Sequence, residues 1–87
     1  MTSAGPFETE AEARAAAHAI IQPAAGWSVL SEAQNRQLLE RACEVAGVDP
    51  GVFGTRILRF LAGFEDAACE AIADMIVRAA GKREEES

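Results

Sequence analysis

The sequence predicts an all-α protein, a compact bundle of about four short helices. Apolar residues recur at spacings of three and four along most of the chain, as they do on one face of a helix. Residues that start and stop helices separate four such stretches, and no stretch alternates between apolar and polar as a strand would. At 87 residues there is room for one domain. We interpret 1–87 as a single helical domain with flexible termini at 1–6 and 82–87.

The first helix is predicted over 9–22. Thr9 and Glu12 have the spacing of a capping box, and Pro23 ends the helix because the residue before a proline avoids helical backbone angles. His18, the single histidine, lies on the polar side of this helix. We interpret it as a surface histidine, since the sequence gives it no positioned partner for acid–base chemistry.

The second helix is predicted over 31–46. Ser31 and Gln34 form a second capping pattern, and Gly47 supplies the stop. Apolar residues lie on one face of this helix, and charged residues at a spacing of four form a solvated face.

The third helix is predicted over 50–62, with Asp49 as N-cap and Pro50 at the first helical position. It has the densest stripe of large apolar residues in the chain. We therefore expect the last two helices to provide the main core. The stripe consists of Phe53, Ile57, Phe60, Leu61 and Phe64.

The fourth helix is predicted over 65–80, ending at Gly81, and it is apolar around most of its circumference. Such a helix must be covered on more than one side, so it is either central in the bundle or in contact with a second subunit. One narrow polar strip runs along it, which we interpret as solvated or, alternatively, as a docking edge for a basic partner. The strip consists of Asp66, Glu70, Asp74, Arg78 and Lys82.

Charge and cysteine content restrict the function classes. A net charge of −6 and a pI near 4.6 disfavour nonspecific attraction to nucleic acid and to anionic membranes. Cys43 and Cys69 lie in helical patterns without metal-ligand spacing, which predicts buried thiols and leaves a disulfide between helices open. We expect a cytoplasmic protein without cofactor, metal or membrane contact, and not an enzyme.

The region 42–59 has a further interpretation. A small residue in one helix is followed, four positions later, by a glycine, an apolar residue and a capping residue, and then by an apolar position in the next helix. These residues are Cys43, Gly47, Val48, Asp49 and Phe53. The pattern resembles the helix-turn-helix of repressor-type DNA-binding proteins. The resemblance implies a DNA-binding regulator, with Arg56 and Arg59 contacting the DNA backbone.

The sequence departs from that pattern after Phe53. The family's next buried position falls at Arg56, whereas the apolar residue is Ile57. The positions that would face base edges are Asp49, Pro50, Gly51, Gly54 and Thr55. They lack the Arg, Lys, Asn and Gln side chains that usually read bases, so a tight corner between two helices is the favoured interpretation.

The favoured function is a protein-interaction or adaptor module that self-associates as a homodimer or binds another protein. The apolar fourth helix would bury Ile72, Met75, Ile76 and Ala79 against a twin helix. Trp27, the single tryptophan, is either a lid on the core or an exposed partner contact. The helix-turn-helix regulator is the alternative.

Overall fold

The computed structural model describes residues 5–86, with side chains up to Gly81, and confirms the all-α prediction. Within the described residues there are four helices and no strand, and none of these helices is both long and apolar enough to cross a membrane. Residues 1–4 and Ser87, predicted to be flexible, lie outside the described residues. The helices are α1 Glu10–Ile20, α2 Glu32–Ala46, α3 Gly51–Leu61 and α4 Asp66–Glu86.

The ends of α1 and α2 follow from local chemistry. The Glu12 backbone N–H donates to Thr9 Oγ1 at 3.2 Å. Ser31 and Gln34 form a complete capping box, with bonds of 3.1 and 2.9 Å in the two directions. Gly47 ends α2 in the left-handed conformation, with φ of 70°, which glycine adopts without steric cost.

The beginning of α3 and the end of α4 differ from the prediction. Asp49 Oδ1 accepts a 2.9 Å hydrogen bond from the Gly51 backbone N–H, so the aspartate closes a turn and α3 starts at Gly51, one residue after Pro50. The predicted end of α4 at residue 80 was wrong, because the helix continues through Gly81 to Glu86. One glycine inside a helix costs only about 1 kcal/mol relative to alanine.

The core is built by α1, α2 and α4. Helix α4 packs against both α1 and α2, whereas α3 packs against α2 alone among the principal helix contacts. Helix α4 is therefore central in the bundle, which is one of the two positions predicted for it. The expectation that α3 shares the main core was wrong, since Leu58 is its one buried side chain and its phenylalanines are exposed. The core cluster is Ala17, Leu30, Leu38, Leu39, Ala42, Cys43, Leu58, Cys69 and Ala73.

Both cysteines are free and buried, as predicted. The Cys69 thiol donates to the Leu61 carbonyl oxygen at 3.3 Å, which ties α4 to the end of α3. Burial raises the pKa of the Cys43 and Cys69 thiols above the usual value. Both side chains therefore serve as small apolar core residues.

Candidate protein-binding surface

The largest apolar side chains of α3 lie on the outside of the protein. Phe53, Ile57, Phe60 and Phe64 are 74, 42, 69 and 48 % exposed. The spacing of four and three residues places Phe53, Ile57 and Phe60 on one face of α3. Phe64, in the turn after α3, packs against Phe60, and we call these four residues the α3 stripe. The opposite face of α3 contains the buried Leu58 and contacts α2.

The area of the α3 stripe is large for an 87-residue chain. A phenylalanine buries about 150–250 Å² when it is covered, so three partly exposed phenylalanines offer several hundred Å². The largest apolar patch of a typical monomer measures about 300–600 Å² and is often functional. The α3 stripe is therefore the strongest candidate for a binding surface among the described residues.

The charge of α3 differs from that of the whole protein. Arg56 and Arg59 are its only ionisable residues, and both are exposed. At 100° per residue they lie on the same flank of the α3 stripe, together with the exposed Val52. A basic flank thus borders an apolar face on a protein of net charge −6.

A cleft opens beside the last residue of the α3 stripe. The rings of Phe60 and Phe64 pack edge to face with centroids 5.5 Å apart, and Phe64 also lines the cleft, whose volume is about 440 Å³. We call it the corner cleft, because it lies where the turn between α3 and α4 meets the start of α2. It is lined by Arg14, Val29, Leu30, Glu32, Asn35, Ala62, Gly63, Phe64, Glu65 and Asp66.

Trp27 is exposed, which answers the question left open by the sequence. Its side chain is 70 % exposed and does not cover the core. It lines a second, smaller cleft of about 260 Å³ together with Val29 and Gln34. Because Val29 lines both clefts, Trp27 belongs to the same side of the protein as the corner cleft.

The acidic strip of α4 is buried, so the prediction of a solvated strip was wrong. Asp66, Glu70 and Asp74 are all buried. Asp66 Oδ2 accepts a 2.9 Å hydrogen bond from the Leu30 backbone N–H and lies 2.8 Å from His18 Nε2. Burial alone would raise the pKa of Asp66, but the bonds from His18 and Leu30 and the neighbouring Asn35 amide lower it.

His18 is therefore half-buried and paired, which corrects its interpretation as a plain surface histidine. Position 18 lies about 100° around α1 from the buried Ala17, at the edge of the buried face, where its ring reaches Asp66 at the start of α4. The bond between His18 and Asp66 joins α1 to the start of α4. Asp66 also holds the loop before α2 through Leu30, so one carboxylate connects α1, α4 and this loop.

Asp74 holds the segment before α1. Its Oδ1 accepts a 3.0 Å hydrogen bond from the Gly5 backbone N–H, and its Oδ2 accepts a 2.7 Å bond from Arg78 Nε. A Cβ atom at position 5 would lie 2.7 Å from Asp74 Cγ, so only glycine allows this close approach. Asp74 of the acidic strip thus holds Gly5, the first described residue, against α4.

Glu70 differs from its two acidic neighbours because one of its oxygens has no partner. The residue is 4 % exposed, and Oε2 has no hydrogen-bond partner. Burial and the negative charge of Asp74 raise the pKa of Glu70 to about 7. A carboxyl group on the buried side of α4 therefore titrates near neutral pH.

The four residues suggested for self-association are divided between the interior and the surface. Ile72 and Ile76 pack against the core cluster from partly buried positions. Met75 and Ala79 are exposed. The apolar surface that α4 leaves free is consequently narrower than the sequence pattern indicates.

The two DNA contacts of the helix-turn-helix alternative are accessible, whereas Cys43 of the same pattern is buried. Arg56 and Arg59 are exposed on α3. The surface beside them is formed by the apolar side chains of the α3 stripe. Base readout relies on polar side chains that match base edges.

Compared with protein-family models, curated proteins and solved structures, the chain shows no significant match. Function therefore has to be argued from the geometry of this chain. Sequence reasoning singled out Trp27, Arg56 and Arg59 but not the corner cleft. Asn35 and Glu65 gave no signal there, because the cleft combines residues from three separate segments.

Proposed function

We propose that this protein is a protein-interaction module that binds an amphipathic helix of a partner along the α3 stripe. The observation that supports this proposal is the exposure of two phenylalanines and one isoleucine on a single helix face, with the exposed Phe64 packed beside them in the turn after α3. Amphipathic helices dock on apolar surfaces through residues spaced three and four apart. The α3 helix has 11 residues and is about 16 Å long, enough to contact three turns of a partner helix.

The charge of α3 favours an acidic partner. Arg56 and Arg59 lie along one flank of the α3 stripe, and α3 contains no carboxylate. Complementary charges at the rim speed association and select among partners. We therefore propose that the partner helix has apolar residues on one side and Asp or Glu beside them.

A second copy of the chain is a less favourable occupant. In a symmetric dimer the same surface patch meets itself, so pairing of two α3 stripes would bring Arg56 and Arg59 toward their own counterparts. Self-association through α4 is also weakly supported, because Ile72 and Ile76 already pack against the core. DNA binding has Arg56 and Arg59 in its favour, but the adjoining apolar side chains do not match base edges.

We propose a reducing compartment such as the cytoplasm as the site of action. Both thiols are free and buried, and proteins of reducing compartments keep their cysteines in this form. The proposed function is binding without catalysis.

Binding of a synthetic acidic amphipathic peptide tests the proposal. The probe is a fluorescent helix of about four turns, with leucines along one face and glutamates on the others. We expect saturable binding that is weakened at least about tenfold by Phe60→Ser, since large aromatic side chains dominate such interfaces. Met75→Ser, at an exposed position on α4, is the matched control and should leave binding unchanged.

The charge contribution needs its own controls. Arg56→Glu combined with Arg59→Glu should weaken binding of the acidic peptide. Arg41→Glu, on the exposed side of α2, should leave that binding unchanged. A peptide with lysine in place of glutamate should bind less well. Equal binding of both peptides, or no binding of the acidic one, would contradict the proposal. Light scattering tests whether a second copy of the chain occupies the α3 stripe. A dimer that Phe60→Ser abolishes would assign the α3 stripe to a second copy.

A further inference from the structure

The corner cleft has a chemical character different from that of the α3 stripe. It is lined by three carboxylate side chains, Glu32, Glu65 and Asp66, and by one basic side chain, Arg14. Arg14 already forms a 2.8 Å ion pair with Glu10. The carbonyl end of α3, which has a partial negative charge, also lies at this cleft through Ala62.

Negative charge at the rim of the cleft is not fully compensated. The hydrogen bond from the Glu10 side chain and the charge of Glu10 raise the pKa of the Glu65 carboxyl, and Arg14 offsets only part of this effect. Glu10, at the start of α1, and Glu65, just before α4, therefore act on each other as like charges beside the cleft. A positive group entering the cleft would relieve their repulsion.

A buried acceptor beneath the cleft gives an independent indication of a ligand. Asn35 lines the cleft and is 3 % exposed. Its Nδ2 donates to the carbonyl oxygens of Ala62 and Phe64, each at 3.4 Å. Its Oδ1 has no partner, although buried polar side-chain atoms normally have one. A donor group entering the cleft would supply it.

We propose that the corner cleft binds the guanidinium group of an arginine side chain, presented by the partner that covers the α3 stripe. This step rests on the proposed function. A guanidinium is planar and has five N–H donors, so it can serve several acceptors at once and stack on the Phe64 ring. No group of three or more His, Cys, Asp and Glu in the described part of the chain is arranged to hold a metal ion, which favours an organic cation.

The cleft would also determine the direction of the partner. Phe64 belongs both to the α3 stripe and to the cleft wall, so the arginine has to lie at the end of the partner helix that passes over Phe64. The acidic residues of the partner would lie farther along, beside Arg56 and Arg59. The partner is thus acidic along one flank and has a single arginine at one end.

Titration with N-acetyl-arginine amide, followed by ¹H–¹⁵N correlation spectra, tests the cleft without any partner. We expect saturable shifts of the Leu30, Gly63 and Phe64 amides, which line the cleft. The neutral isostere N-acetyl-citrulline amide should cause no comparable shifts. Glu32→Gln combined with Glu65→Gln should weaken binding about fivefold or more, whereas Glu44→Gln, exposed at the far end of α2, should not.

The outcomes separate this inference from the proposed function. Absence of cleft shifts, equal shifts with citrulline, or unchanged binding in the double variant would overturn the arginine site. If that happened while the acidic peptide still bound in a Phe60-dependent manner, the proposed function would stand and only the cleft assignment would fail. Arginine binding in the cleft without peptide binding would contradict the α3 stripe alone.

Discussion

Glu70→Gln is expected to stabilise the protein above pH 7 and to change its stability little near pH 4.5. The pKa of Glu70 is about 7 in the folded protein and 4.5 in an unperturbed side chain. A raised pKa in the folded state gives stability that is fully present below the unfolded value and is lost as pH rises toward the folded value. The loss between those two values amounts to about 3 kcal/mol. Glutamine mimics the protonated acid and does not ionise.

Urea unfolding at a series of pH values measures this effect. The quantity to compare is the difference in unfolding free energy between variant and wild type, because the other titrating groups cancel in it. This difference should grow between pH 4.5 and 7 and then level off. Glu44→Gln, at an exposed site, should give a flat difference. A flat difference for Glu70→Gln as well would show that Glu70 does not titrate in this range.

Leu39→Ala is expected to destabilise the protein by about 2–5 kcal/mol, the usual cost of removing a large buried side chain. Leu39 is one of the two largest side chains that are fully buried. A domain of this size has only about 5–15 kcal/mol of total stability, so the variant is expected to be unfolded in part. Phe60→Ala is expected to cost only about 1 kcal/mol, because Phe60 is exposed and the main contact that it loses is the ring pair with Phe64.

Thermal and urea unfolding of the two variants decide between a core role and a surface role for α3. The predicted contrast follows from burial alone, because both substitutions remove a large apolar side chain. A loss for Phe60→Ala as large as that for Leu39→Ala would mean that Phe60 is covered by the protein itself. The α3 stripe would then not be available to a partner.

Helix ends could be predicted from sequence because their causes are local. Ser31 and Gln34, three residues apart, bind each other at the start of α2. Gly47 ends α2 through its own left-handed backbone conformation, so neither helix end depends on a residue distant in sequence. The burial of Cys43 and Cys69 could also be predicted, since both lie in apolar stretches of helices. These features depend on short-range spacing, which the sequence shows directly.

The burial of the acidic strip of α4 could not be predicted, because the residues that its carboxylates bind are distant in sequence. Asp66 binds His18 and Leu30, which are 48 and 36 positions away, and Asp74 binds Gly5, 69 positions away. Acidic residues spaced by four on a helix normally indicate a solvated face. Only the packing of α1 and the preceding segment against α4 places this strip inside.

The α3 stripe was wrongly predicted to belong to the core, for a different reason. Phe53, Ile57, Phe60 and Leu58 all belong to one short helix that is apolar on two sides. Periodicity cannot tell which of two apolar sides faces the core. The fold buries the side that contains Leu58 and leaves the larger side chains outside. The candidate binding surface was therefore visible in the sequence, but as a predicted core.

The attachment of α3 has a consequence for how tightly any partner can bind. Leu58 is the one buried side chain of α3, and Leu61 packs against the core from a partly buried position, so few contacts hold α3 against α2. Helices with few buried contacts open locally at a lower free energy than the whole domain. If a partner binds only while α3 is packed against α2, its apparent Kd equals the intrinsic Kd divided by the fraction of molecules in which α3 is packed. Substitutions that fasten α3 to α2 would therefore increase affinity without contacting the partner, and bound partner would slow amide exchange in α3 before anywhere else.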